Sequence, residues 1–168
     1  MNNSTYILDD KLLASNGKRF LNYILDIIFI FLLIMVLTFF FAIFANLFDW
    51  TGILFWMGNM SDVEGQVLFL TVLIIYYMFT EGLFGRSLAK FITGTIVVDE
   101  NGIKPDFVGV LKRSLSRLIP FEAFSFLGSS GRGWHDSLSD TYVVDKKALV
   151  EEKKMFNEFN LIGTQEIE

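Results

Sequence analysis

The sequence predicts a mainly α-helical membrane protein: a two-helix transmembrane hairpin, an interfacial amphipathic helix and a small cytoplasmic pair of β-strands. Three observations carry that expectation. Every Lys and Arg lies at or before Arg19 or at or after Arg86, and between them runs an almost uninterrupted apolar stretch, broken by one polar, acidic segment, Asp49 to Glu64. From Ile27 to Phe48 the only polar side chains are Thr38 and Asn46, and at about 1.5 Å per residue that run spans a hydrocarbon layer roughly 30 Å thick. Finally, the string Thr95-Ile96-Val97-Val98-Asp99 recurs almost unchanged as Thr141-Tyr142-Val143-Val144-Asp145.

Taken in order, residues 1–17 form a polar leader, read as a short surface helix or as disordered, and Asn16-Gly17 marks a break. The first membrane helix is expected at about 20–48. It is too long for a signal peptide, follows an acidic, Asn-rich leader and is followed by no small-residue cleavage site, so it is read as retained. Asp49, Trp50, Gly52, Trp56, Gly58 and Asp62 make an outer loop, whose tryptophans suit the water–lipid interface. The second membrane helix is expected at about 63–84. Cationic flanks and a connection free of Lys and Arg place both termini in the cytoplasm.

Beyond Gly85, Ser87 to Ile92 reads as a short amphipathic helical turn. The β-branched strings, the first ending at Asn101-Gly102, read as two strands too short to stand alone and therefore paired. Asp106 caps a helix at about 107–119 that Pro120 ends. Lys112, Arg113 and Arg117 each cost about 2.5–3.5 kcal/mol at a bilayer centre, so this segment is expected to lie in the membrane plane. Residues 18–145 thus form one membrane domain, and residues 146–168 a charged cytoplasmic tail, helical or frayed.

Composition narrows the function. The chain has 168 residues, is 52% hydrophobic and carries a net charge of −5, which is too apolar for an ordinary soluble domain and does not favour nucleic acid. The basic residues instead gather where anionic lipid head groups of the inner leaflet lie. Without cysteine there is no disulfide, thiolate catalysis or Cys-based metal site.

The candidate site is a polar stripe. Arg19 and Asp26 stand seven residues apart, two helical turns, with Asn22 and Tyr23 between them on one face. A carboxylate there needs a partner or it takes a proton, and Arg86, Lys90, Arg113, Arg117 and His135 are the available cations or donors. Asp26 then reads either as a proton or cation site or as part of an ion-paired anchor for the amphipathic segment. Gly131-Arg132-Gly133-Trp134-His135-Asp136 is the densest knot of unusual residues; in it Asp136 is available to Arg113 or Arg117. A lone His beside an Asp, with no nucleophile at a recognisable spacing, is not a catalytic triad. Gly85-Arg86-Ser87-Leu88-Ala89-Lys90 lacks the spacing of a phosphate loop. No metal, cofactor or enzymatic activity is expected.

These residues resemble the RDD family of small bacterial membrane proteins. The resemblance rests on Lys18-Arg19-Phe20-Leu21-Asn22-Tyr23-Ile24-Leu25-Asp26, on Gly85 to Lys90 with Gly94, on Val97-Val98-Asp99 and Gly102, and on Arg113 and Arg117. Trp134-His135-Asp136 and Thr141-Tyr142-Val143-Val144 complete it, so that it covers about residues 14–145. The chain departs from the family in Ala89, where a glycine is common, and in a shorter, more charged third segment. The resemblance implies an integral membrane protein with Arg19, Asp26 and Asp136 as signature residues; some members have been proposed as sodium-or-potassium/proton antiporters. Three readings follow. The first is a structural or accessory module with a charged network at the inner surface. The second is cation/proton antiport by a homo-oligomer, or with a partner membrane protein. The third is a surface module whose Arg86, Lys90, Lys112, Arg113 and Arg117 bind anionic lipid phosphates.

Overall fold

A computed structural model of the chain describes residues 6–127 and 132–165. The start of the leader, Gly131 of the Gly131-to-Asp136 knot and the last three residues of the tail lie outside the described residues. Helix α1 runs over Asn16–Leu47, 32 residues, with the Ser15 hydroxyl accepting from the Lys18 amide at its start. Helix α2 spans Thr51–Gly58, and α3 spans Asp62–Phe84, 23 residues. A capping box opens α3: the Ser61 hydroxyl accepts from the Glu64 amide, and the Glu64 carboxylate accepts from the Ser61 amide at 2.8 Å. Gly85, at φ +67°, closes α3 in the left-handed conformation and passes its amide to the Glu81 carbonyl.

Both α1 and α3 are long and apolar enough to cross a bilayer. They meet through Ile30, Leu73, Tyr76 and Tyr77 and through a Phe31–Phe69 ring contact at 5.3 Å. Most other apolar side chains on α1, among them Met35, Phe39, Phe40 and Phe44, are exposed. Water does not tolerate such a surface, whereas lipid tails do.

The remaining elements gather around the N-terminal end of α1 and the C-terminal end of α3. They are α4 (Leu88–Thr93), β1 (Thr95–Val98), α5 (Phe107–Ser116), a 3-10 turn (Glu122–Leu127), α6 (Trp134–Ser137), β2 (Tyr142–Asp145) and α7 (Lys146–Gln165). The repeated strings pair antiparallel, with Thr95 opposite Asp145 and Val98 opposite Tyr142. That confirms the small sheet.

Four expectations change. The acidic connection is not all loop, because Thr51–Gly58 is helical, with Ile53, Leu54 and Phe55 giving it an uninterrupted apolar turn. The third segment stops being α-helical at Ser116, since Leu118 and Ile119 tighten into bonds to carbonyls three residues back before Pro120, which has no amide proton. Two of its three cations also turn inward: Arg113 is fully buried and Arg117 lies over the Tyr77 ring, while Lys112, Phe107, Val108 and Leu115 are exposed. The leader is not a free surface element. Leu12 packs with Val98, Val144 and Leu149, and the Ala14 amide donates to the Val143 carbonyl at 2.9 Å, adding a short extension to the sheet edge. The charged tail packs too, through Leu149 on the sheet and a Tyr6–Phe156 edge-to-face contact.

Candidate functional site

The polar stripe of α1 is buried where the cap meets the two long helices. Arg19, Asn22 and Asp26 are each 5% exposed or less, so every charge on them must be met within the protein.

Arg19 does not pair with Asp26. Its Nη1 reaches the Asp136 carboxylate, while Nε and Nη2 donate to the Ala14 and Val143 carbonyls at 3.3 and 3.4 Å. Asp136 stands in the first turn of α6 and also receives Arg113 Nη1 and the Gly133 amide. Arg113, from α5, sends Nε to Glu81 at 2.9 Å and shares Nη1 with the Thr141 hydroxyl at 2.5 Å. Glu81, from the last turn of α3, accepts Lys90 Nζ at 2.7 Å and Arg117 Nη2 at 3.5 Å. Arg117 also lies over the Tyr77 ring, 3.7 Å from its centroid. One chain of ion pairs, Arg19–Asp136–Arg113–Glu81–Lys90, therefore links α1, α6, α5, α3 and α4.

Asp26 is held differently. Its Oδ1 accepts the Tyr76 hydroxyl at 2.6 Å and the Ala89 amide at 3.2 Å; its Oδ2 accepts the Ser87 hydroxyl at 2.6 Å and the Tyr77 hydroxyl at 3.1 Å. The Tyr76 oxygen accepts from the Leu88 amide, which directs its own proton to Asp26. Four donors fill the acceptor positions of a carboxylate. Neutral hydroxyls and an amide, not the expected cations, satisfy it. Asn22, between the two, accepts from Thr93 and donates to Thr95 at 3.0 Å, tying the start of β1 to α1.

His135 lies between two carboxylates, with Nδ1 on Glu122 and Nε2 3.3 Å from Asp136. Burial pushes its imidazole below the ordinary value, against the pull of Asp136. Burial would raise Asp136, but His135, Arg113 and Arg19 hold it well below the usual carboxylate range. Glu122 is likewise held low by its hydrogen bond from His135, despite burial. Burial pushes Lys90 down, with Glu81 pulling the other way. A cavity of about 30 Å³ is bounded by Asp26, Tyr77, Lys90, Arg117, Glu122 and His135 among others. Among the described residues, no three His, Asp or Glu side chains converge as a metal site requires.

The structure thus unites Arg19, Asp26, Lys90, Arg113, Arg117, His135 and Asp136, and leaves Arg86 and Lys112 outside the cluster. Lys90 and Arg113 face Glu81 and not the surface, so their charges are already met. Sequence reasoning missed Glu81 and Glu122 as members. Glu81 had a signal, being the lone carboxylate closing an apolar run; Glu122 had only its place after Pro120. Tyr76, Tyr77 and Ser87 gave no warning of their role.

Apolar helices of spanning length joined at one end by a buried charge network define a helical protein of membrane type. The family model of the RDD family matches residues 13–140, and the chain belongs to that family. No curated protein and no solved structure matches it. Family membership and the two apolar helices together point to a membrane protein.

Proposed function

We propose that the chain is a multi-pass protein of the bacterial cytoplasmic membrane, in which α1 and α3 form a transmembrane hairpin with both termini in the cytoplasm. It serves as a structural or accessory membrane module and not as an enzyme. The observation that carries this reading is the ion-pair chain from Arg19 to Lys90, which fastens five helices at the inner end of the hairpin. Three buried cations, Arg19, Lys90 and Arg113, and the nearly buried Arg117 share this region with four buried carboxylates, Asp26, Glu81, Glu122 and Asp136. A balanced set of this kind fixes relative orientation. The exposed apolar residues of α5 and its continuation, Phe107, Leu115, Leu118 and Phe121, suit contact with the lipid surface. A second copy or another membrane protein is the partner an accessory role requires.

The test of topology is single-cysteine labelling, which the cysteine-free chain permits. Asn59→Cys should react with a membrane-impermeant reagent added outside, and Lys147→Cys only after permeabilisation. External labelling of Lys147→Cys would overturn the orientation.

A second reading, sodium-or-potassium/proton antiport by an oligomer with Asp26 titrating, draws on the burial of Asp26 beside the small cavity. The four donors on its oxygens and the cations Arg19, Lys90 and Arg117 around that cavity weigh against it. Proteoliposomes decide. Ion-driven proton flux in the parent, lost in Asp26→Asn, would install antiport in place of the structural role; no flux in the parent removes it.

A further inference from the structure

Arg86 stands apart from the buried cations. It follows Gly85 at the end of α3, and its guanidinium carbon lies 3.8 Å from the centroid of the Phe91 ring, which in turn meets Phe84 edge to face at 5.9 Å. Its Nε is buried without an acceptor among the described residues. Among the described residues, Arg86 makes no ion pair, and its terminal nitrogens make no hydrogen bond. Lys104 arrives at the same corner. Its side chain passes 3.4 Å from where a Cβ on Gly85 would stand, and its Nζ donates to the Leu83 carbonyl at 3.0 Å, with no carboxylate partner among the described residues. Around these two cations Leu83, Phe84, Leu88, Phe91, Ile92 and Ile103 are all exposed.

Cations set among exposed aromatic and aliphatic side chains, at the end of a spanning helix, match the boundary between lipid head and tail. A guanidinium resting on a ring presents its terminal nitrogens as a fork for oxyanions, and a nearby ammonium adds a point charge. We propose that Arg86 and Lys104 form a site for a phosphate-bearing lipid head group, with the acyl chains lying on Phe84, Leu88 and Phe91. The site deepens the proposed transmembrane hairpin, at whose inner end it lies, and rests on that reading. It also narrows the lipid-binding set, since Lys90 and Arg113 are committed to Glu81 and Asp136.

The full chain in detergent, mixed with equal amounts of phosphatidylglycerol and phosphatidylcholine, should retain phosphatidylglycerol preferentially in native mass spectra. Arg86→Gln with Lys104→Gln should cut that preference at least about tenfold, the scale expected for taking two basic residues from an anionic surface. Lys112→Gln, an exposed cation elsewhere on α5, should leave it unchanged. Excess inorganic phosphate should not displace the lipid. An undiminished preference in the double variant, an equal loss in Lys112→Gln, or displacement by inorganic phosphate each overturns the proposal, the last by assigning the corner to a free anion. If the double variant fails to fold, Arg86→Lys keeps the charge without the fork; a preference as strong as the parent's would then overturn it. Retention in detergent is independent of sidedness, so its failure is distinct from a failure of the topology labelling.

Discussion

The Arg19 guanidinium ends on the Asp136 carboxylate, 117 residues further along the chain. Both side chains are buried, at 4% and 0% exposed, so the pair lies out of reach of water screening and its loss strands a charge. That contact joins α1 to the knot of residues before β2, and it makes Asp136 the hinge of the network, because Arg113 occupies its other oxygen.

Asp136→Asn is expected to destabilise the protein by about 3–5 kcal/mol, the range for breaking a buried pair by removing one partner. Arg19→Ala should fall in the same range. The double variant should lose clearly less than the sum of the two in detergent unfolding, since the second change removes a charge that the first has already stranded. Additive losses would show that the two residues are not coupled.

Glu81→Gln should cost more than Asp26→Asn. Glu81 compensates Arg113, Lys90 and Arg117 at once, whereas Asp26 is met by neutral donors. For Asp26→Asn the expected loss is about 1–3 kcal/mol, the cost of donors left unpaired. Thermal melts of both variants in one detergent give the order, and the reverse order would refute the division of roles.

Acidification should destabilise the cap in two stages. Burial holds His135 below its ordinary value of 6.5, so the unfolded chain takes up its proton first and stability declines as pH falls through about that value. Asp136 and Glu122 are held below their ordinary values of 3.8 and 4.5; their contribution is whole above those values and is lost as pH falls through the lower folded-state values. Melting temperature measured from pH 8 to pH 2 should therefore fall in both stages, with His135→Gln flattening the upper one. A melting temperature that rises between pH 7 and pH 5 would count against this.

Leu12→Ala is expected to cost about 2–5 kcal/mol although it lies in the leader, because Leu12 is 4% exposed within the cluster of Val98, Val144 and Leu149. Faster amide exchange in β1 and β2 is the matching local signature. An unchanged melting temperature would mean that the leader is not part of the fold.

Much of the architecture was legible because its signals are local. The apolar run from Ile27, the Asp106 cap and the two Val-Val strings each declare an element within a few residues. The leader was misread for the same reason: its composition is polar, and the short run Leu12-Leu13-Ala14 within it is too brief to show a period. The inward turn of Arg113 was also hidden. Three cations in a short helix suit a lipid surface as well as a buried carboxylate, and only the position of Glu81 on α3 decides between them.

By itself, the order of residues determined which segments are too apolar for water, where cations are absent, and which two strings could pair, since hydropathy and β-propensity act within a segment. Only the tertiary structure decided who satisfies whom. Arg19 went to Asp136, and Asp26 to Tyr76, Tyr77 and Ser87. A buried charge selects its partner by distance and lone-pair geometry after the helices have packed, and spacing along the chain does not encode that choice.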